Sequence, residues 1–284
     1  MASFSNQATL RYNGVSVSSN VVTGQMISPL TLTKTAGEDR YAPGDSLSYV
    51  ISLVNDGSVT YEGLILTDDL GGYEVGTGTA YPLAYVADSV RYFINGVPQP
   101  APAVTPGGPL VISGLSVPAG GNAMLVYETE VTAAAPLLAG SVITNTAALT
   151  GAGLTAPLTA QASVSVETGA ELAVVKSLFP ATVAPNGQLS YTFTIQNSGN
   201  EAAGTDAGAA ISDLFDPVLK NISVSLDGQP LALTTDYSYN QSSGQFDTVP
   251  GRITVPAAAY AQTASTGDWI VTPGEAVLTV TGTI

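Results

Sequence analysis

Lys34, Asp68 and Asn145 recur at matching positions as Lys176, Asp213 and Asn6. The chain has three lysines, and two of them hold the same interior position of a repeated strand, LTLTKT at Leu30 to Thr35 and LAVVKS at Leu172 to Ser177. A lysine flanked by Leu32 or Val174 sits awkwardly if exposed and expensively if buried. Burial of such a lysine lowers its pKa toward a free, nucleophilic amine. Plainer roles stay open. Lys34 and Lys176 are able to snorkel or to pair ionically with the aspartates, Asp68 and Asp213 to cap turns, and Asn145 and Asn6 to bond to backbone at a strand start.

The elements that carry these residues form two repeats of roughly 140 residues. Ala42 to Gly57 (APGDSLSYVISLVNDG) matches Ala184 to Gly199 (APNGQLSYTFTIQNSG), and Leu66 to Asp68 matches Ile211 to Asp213. Ser89 to Pro98 is similar to Asn221 to Pro230, and Ala123 to Val131 matches Ala276 to Ile284. Apolar residues alternate in Leu47, Tyr49, Ile51, Leu53 and in Leu189, Tyr191, Phe193, Ile195, the period of a strand with one buried face. Asn95-Gly96 and Asp227-Gly228 supply the left-handed backbone of tight hairpins, and Asn55-Asp56-Gly57 and Asn197-Ser198-Gly199 close strands. Short antiparallel strands with frequent turns predict an all-β chain of two tandem β-sandwiches.

A third repetition is out of phase with these two. Phe4 to Ile27 matches Ile143 to Val166 without a gap. Whether this segment closes the body before it or opens the body after it decides the architecture. If it closes the preceding body, the second body has no such segment after it and is left open, and the N-terminal hairpin Ala2 to Ile27 of another copy is the simplest repair. If it belongs to the following body, the chain is two self-contained repeats and a monomer. A third arrangement folds residues 1–27 back onto their own second body; the short, stiff Ser28-Pro29 link disfavours that reach.

The order of strand with Lys, APG, L-S-Y-x-I-x-x-x-N-x-G, x-T-D, hairpin, PAG and final N-T-A hairpin resembles the bacterial surface-protein repeat family known as domain of unknown function eleven. The resemblance implies Ig-like sandwiches on a cell surface. It also implies that the N-T-A strand closes the sandwich whose lysine strand came earlier, which assigns Val142 to Val166 to the first body. The expected division is a donor hairpin at 1–28, a first Ig-like sandwich at 29–168 and a second, incomplete one at 169–284. The expected partner is a further copy of the chain in a head-to-tail homopolymer, with Phe4, Ala8, Leu10, Val15, Val17, Val21 and Ile27 as the polymerisation surface.

The Lys, Asp and Asn set resembles the groups that build spontaneous isopeptide bonds in Gram-positive adhesin and pilin sandwiches. That resemblance implies attack of a lysine amine on an asparagine carboxamide, with an aspartic acid polarising the carbonyl. In body one the set is Lys34, Asp68 and Asn145; in body two it is Lys176 and Asp213 with Asn6 of the next subunit. No matching glutamate lies near the strand ending in Thr279, which leaves the identity of the carboxylate open.

Composition narrows the alternatives. The chain has no cysteine and no histidine, a net charge of −15 and seven basic residues. Disulfides, thiol chemistry and histidine-based catalysis are excluded, and an enzyme is not expected. Nucleic acid is not an expected partner, because so few cations cannot neutralise rows of phosphates. No cofactor or metal is expected; Asp213, Asp216 and the pair Asp68-Asp69 lack a calcium-loop spacing. The N-terminus has no secretory signal pattern and no apolar run spans a membrane, so the surface location implied by the resemblance, on a cell or a spore, comes with no visible export route. The alternative is a monomeric surface adhesin that binds a glycan or protein ligand, for which Trp269 with Tyr237, Tyr239 and Tyr260 is a candidate platform; a hydrolase using paired carboxylates is a third class.

Overall fold

The computed structural model describes residues 2–26 and 29–284. Its described residues are almost entirely strand and turn, with one short 3-10 turn at Thr205–Ala207. The chain is all-β: an N-terminal hairpin followed by two sandwich bodies.

In the first body one sheet runs in the order Val97–Gln99, Arg91–Ile94, Asn122–Val131, Ser46–Asn55, Leu30–Ala36. The facing sheet runs Ala103–Thr105, Leu110–Val117, Tyr61–Asp68, Val142–Thr150, Leu158–Val166, Arg40–Tyr41. Leu47, Tyr49, Ile51 and Leu53 all point into the core between them, as their alternation predicts. The strand Val142–Thr150 pairs with the edge of Tyr61–Asp68, Ala147 opposite Asp68, and the closing strand Leu158–Val166 lies across the opening strand Leu30–Ala36. The duplicated segment therefore closes the body before it.

The second body repeats the first sheet in the order Leu172–Phe179, Gln188–Asn197, Gly274–Thr283, Lys220–Leu226, Gln229–Pro230. Its facing sheet has three strands, Ser212–Leu214, Gln245–Thr248 and Tyr237–Tyr239. Asp213 pairs with Phe246 on one side; among the described residues no strand pairs with the other edge of Ser212–Leu214, where the first body carries Val142–Thr150. Phe215, Phe246, Leu278 and Val280 still form a packed core, while Tyr191, equivalent to the fully buried Tyr49, is half-buried.

Three two-residue turns share one backbone. Asn13-Gly14, Asn95-Gly96 and Asp227-Gly228 all have positive φ at both positions, 45° and 77°, 48° and 76°, 49° and 75°. This is the geometry whose twist matches that of the flanking strands. Asn55 and Asn197 occupy equivalent buried positions, each accepting from the glycine two residues on, at 3.0 and 2.9 Å.

Among the described residues the N-terminal hairpin pairs only with itself, Ala2–Asn6 with Val22–Met26 and Thr9–Tyr12 with Val15–Ser18. Paired residues of antiparallel strands share a face. The ladder thus places Leu10 with Val17 and Tyr12 with Val15 on one side, while Ser18 and Ser16 stand opposite Thr9 and Arg11 on the other. In the outer ladder Phe4 stands opposite Gly24 and Asn6 opposite Val22. Phe4, Leu10, Tyr12, Val15, Val17 and Val22 are all exposed. The hairpin is not folded onto either body.

A second hairpin, Ala259–Gln262 with Trp269–Thr272, interrupts the second body between Pro256 and Gly274. It reaches back to the first body, where the Trp269 N–H donates to the Ala133 carbonyl at 2.8 Å and the Gln262 side-chain amide to the Tyr73 hydroxyl at 2.6 Å.

Candidate functional site

Lys34, Asp68 and Asn145 are three of the few polar side chains buried in the first core. Lys34 stands on the opening strand, two positions inward from Leu32; Asp68 ends the strand Tyr61–Asp68; Asn145 precedes Ala147, the residue opposite Asp68, by two positions and so faces the same core. The Lys34 Nζ lies 2.5 Å from Asp68 Oδ2, and neither side chain touches solvent. The Tyr127 hydroxyl donates to the same Oδ2, and the other oxygen of Asp68 accepts the Leu70 N–H at 3.0 Å. The ring of Tyr49 lies 4.8 Å below the ammonium and stacks on Tyr127.

Burial pulls the Lys34 pKa below the ordinary lysine range, against the upward pull of Asp68 and Asp69. The same burial raises Tyr127 well above its ordinary value and also raises Tyr49; in each the Asn145 amide pulls the other way. Among the described residues, Asn145 Nδ2, Asn145 Oδ1 and the Tyr49 hydroxyl face one another without meeting a partner in hydrogen-bonding geometry. An unpartnered buried amide costs about 1–3 kcal/mol. A primary amide without a bonding partner, a desolvated amine and a carboxyl are thus all buried in the same core.

The second body repeats the set with one member missing. Lys176 bonds to Asp213 as Lys34 does to Asp68, and lies 4.5 Å from the ring centre of Tyr191 and 5.4 Å from that of Phe215. Its side chain is 40% exposed and that of Asp213 17%. The inward face of its strand is bare: Leu172 is 42% exposed where Leu30 is 2%, and Val174 and Leu178 are exposed too. Val280 replaces Tyr127, so Asp213 has no tyrosine donor, and Phe215 fills the space by stacking on Tyr191 at 5.0 Å. Asn6 is in the free hairpin, which pairs with itself, and not beside Lys176.

The remaining sequence-predicted residues divide as follows. Phe4, Ala8, Leu10, Val15, Val17 and Val21 are all exposed on the hairpin, and Ile27 lies outside the described residues. Tyr12 and Val22 extend that apolar surface and were legible from the alternation; the Tyr49 and Tyr127 hydroxyls carry no sequence signal beyond their strand. The four aromatics of the glycan-platform alternative do not form one face: Tyr237 is buried against Phe246, the Tyr239 hydroxyl donates to Leu219, and Tyr260 and Trp269 belong to the hairpin between the bodies. Among the described residues no three His, Cys, Asp or Glu side chains gather as a metal-holding group, and no helix is long and apolar enough to cross a membrane.

No protein-family model matches the chain, and no curated protein matches it. Solved structures show distant likenesses. The crystal structure of BcpA, the major pilin subunit of Bacillus cereus, aligns with 96% of this chain and 73% of its own at 11% identity and a TM-score of 0.36. The pilus backbone protein RrgB of Streptococcus pneumoniae aligns with 86% of this chain at 12% identity and a TM-score of 0.35; the alignment spans 55% of the pneumococcal chain. A collagen-binding domain from a Staphylococcus aureus adhesin aligns over its whole length with 51% of this chain at 11% identity and a TM-score of 0.29. The functional reading below rests on this chain's own residues.

Proposed function

We propose that this chain is the subunit of an extracellular, head-to-tail polymer in which the N-terminal hairpin of one copy completes the second body of the next. The observation that carries the reading is the match between a missing part and a spare one. The second body has a free edge at Ser212–Leu214 and a bare apolar face at Leu172, Val174 and Leu178. The hairpin is a second copy of the segment that fills that place in the first body. Docking extends the three-stranded sheet and covers the face, satisfying backbone groups and burying apolar side chains together.

The energy is sufficient. Burying about half a dozen side chains such as Phe4, Leu10, Val15 and Val17 at roughly 1.5–3 kcal/mol each gives a gross gain of about 10 kcal/mol. Ordering and association costs reduce it, and backbone pairing adds to it. Donor and acceptor are different surfaces, so the contact is heterologous and propagates. The four aromatics considered for the adhesin alternative do not share one face.

Within the first body the same reading assigns Lys34 and Asn145 to an internal amide bond. The proton of the Lys34 ammonium passes to Asp68, the free Nζ attacks Asn145 Cγ, and Asp68 hydrogen-bonds the carbonyl oxygen as charge develops there. Asp68 relays that proton to Nδ2, the Cγ–Nδ2 bond breaks and ammonia leaves, and the second proton of Nζ passes to Asp68 as the amide forms.

Two single variants test the polymer. Leu10→Asp spoils the hairpin and leaves the groove; Val174→Asp spoils the groove and leaves the hairpin. The wild type is expected to form fibres by electron microscopy, each variant alone to stay monomeric, and their mixture to stop at a dimer in sedimentation. A wild type that stays monomeric over all concentrations, or variants that polymerise equally well, overturns the proposal.

A further inference from the structure

We infer that insertion of the hairpin switches on a covalent bond between subunits, an amide joining Lys176 Nζ of one copy to Asn6 Cγ of the copy that donates the hairpin. This rests on the donor-hairpin reading above and goes further: the junction becomes irreversible, and only after docking.

The placement follows from register. In the first body Ala147 stands opposite Asp68, and Asn145, two residues before it, faces the core that holds Lys34. Ala8 and Asn6 keep that two-residue spacing in the hairpin. With Ala8 opposite Asp213 on the free edge of Ser212–Leu214, Asn6 turns inward over Lys176, as Asn145 does in the first body.

The gating follows from exposure. The Lys34 side chain is sealed from solvent within its own chain, whereas that of Lys176 is 40% exposed. A hydrated ammonium is a poor nucleophile and has no acyl group in reach. Docking supplies the amide, strips water from the amine and encloses Asp213 beside both in a single event. Lys176 Nζ then gives its proton to Asp213 and attacks Asn6 Cγ. Asp213 polarises the carbonyl, passes that proton to the departing Nδ2 and takes up the second proton of Nζ as the amide forms. One C–N bond forms, one breaks, and ammonia leaves, with no oxidant or reductant. Val280 in place of Tyr127 removes one donor from the carboxyl, so Asp213 is free to serve the incoming amide alone.

The test compares wild type with Asn6→Ala and Leu10→Asp. Wild-type fibres boiled in detergent are expected to run as a ladder, to lose one ammonia per junction beyond any internal loss, and to yield a branched peptide joining Lys176 to Asn6. Asn6→Ala keeps the fibres but boils to monomer. Leu10→Asp stays monomeric and its Lys176 remains open to acetylation by an amine-directed ester, which shows that docking and not folding switches the chemistry on. Wild-type fibres that boil to monomer without mass loss overturn the covalent junction and leave the donor reading standing. A wild type that forms no fibre removes both.

Discussion

Lys34 and Lys176 make the same ion pair from the same position of equivalent strands, yet one side chain is sealed from solvent and the other is 40% exposed. The difference is the closing hairpin, present over one and absent over the other. Amine-directed acetylation of the unassembled chain reads this directly. Lys176 and the exposed Lys220 are expected to be modified quickly, and Lys34 to stay unmodified in the folded state, by peptide mass mapping. Rapid labelling of Lys34 would sink the sealed-core description.

The carboxyl of Asp68 holds Lys34, Tyr127 and the Leu70 N–H at once. Removing it in Asp68→Ala leaves a buried, unpaired lysine and an unsatisfied hydroxyl, which costs about 3–5 kcal/mol of stability. The same variant loses the proton relay, so the internal bond forms more slowly by about 100-fold or more. Lys34→Met also lacks the bond but removes the charge itself, and is expected to be the more stable of the two. Denaturant unfolding ranks them, and intact mass separates bonded from unbonded chain by one ammonia.

Bond closure in the first body should slow at alkaline pH. The reactive arrangement, free amine with protonated carboxyl, carries the same single proton as the ion pair, so the rate is level while the pair keeps that proton. Burial lowers the Lys34 pKa. As pH rises through that lowered value the pair loses its proton, the carboxyl no longer donates, and closure slows. The alkaline arm therefore begins below the ordinary lysine value of 10.5. In an unbonded Asn145→Ala chain the folded state binds fewer protons than the unfolded state between the lowered value and 10.5, so stability rises with pH across that window. Refolding at fixed pH followed by intact mass gives the profile, and an alkaline arm at or above 10.5 would contradict the assignment.

Much of this was legible in the chain itself, because period-two alternation and the Asn-Gly and Asp-Gly turns act locally. The phase of the duplicated segment came from the family resemblance instead, while the inward face of Leu47 through Leu53 followed from the local alternation. The register of the free hairpin did not. Its ungapped match to Ile143 to Val166 implies Phe4 opposite Gln25, as Ile143 stands opposite Val164, but Phe4 stands opposite Gly24. The two-residue Asn13-Gly14 turn shifts the inner ladder, with Leu10 opposite Val17 where the match implies Ser19, and the uneven break after Asn6 leaves a smaller shift in the outer one. Phe4 then rests its ring against Gly24, where a Cβ would fall 2.3 Å from it. Long-range contacts were equally invisible: nothing local marks Tyr127 as the donor to Asp68, or Tyr73 as the dock for a hairpin nearly two hundred residues away.

That inserted hairpin leads to a prediction about the shape of the subunit. Tyr73 donates to the Ala134 carbonyl at 2.6 Å and accepts from Gln262, while Asn200 donates to the Leu137 and Glu167 carbonyls, at 3.1 and 2.8 Å, beside the linker. The bodies are thus tied at two separated places, which resists bending more than a linker alone. Gly267 sits at the hairpin tip with φ of 81°, and a Cβ there would meet Ala80 Cβ at 2.4 Å. Gly267→Val is strained in backbone and in contact, and the least costly relief is for the tip to leave the first body. Each body keeps its own core, so the expected result is a broader inter-body distance distribution in small-angle scattering with little change in melting temperature. An unchanged distribution would mean that the linker contacts of Asn200 suffice to hold the two bodies in line.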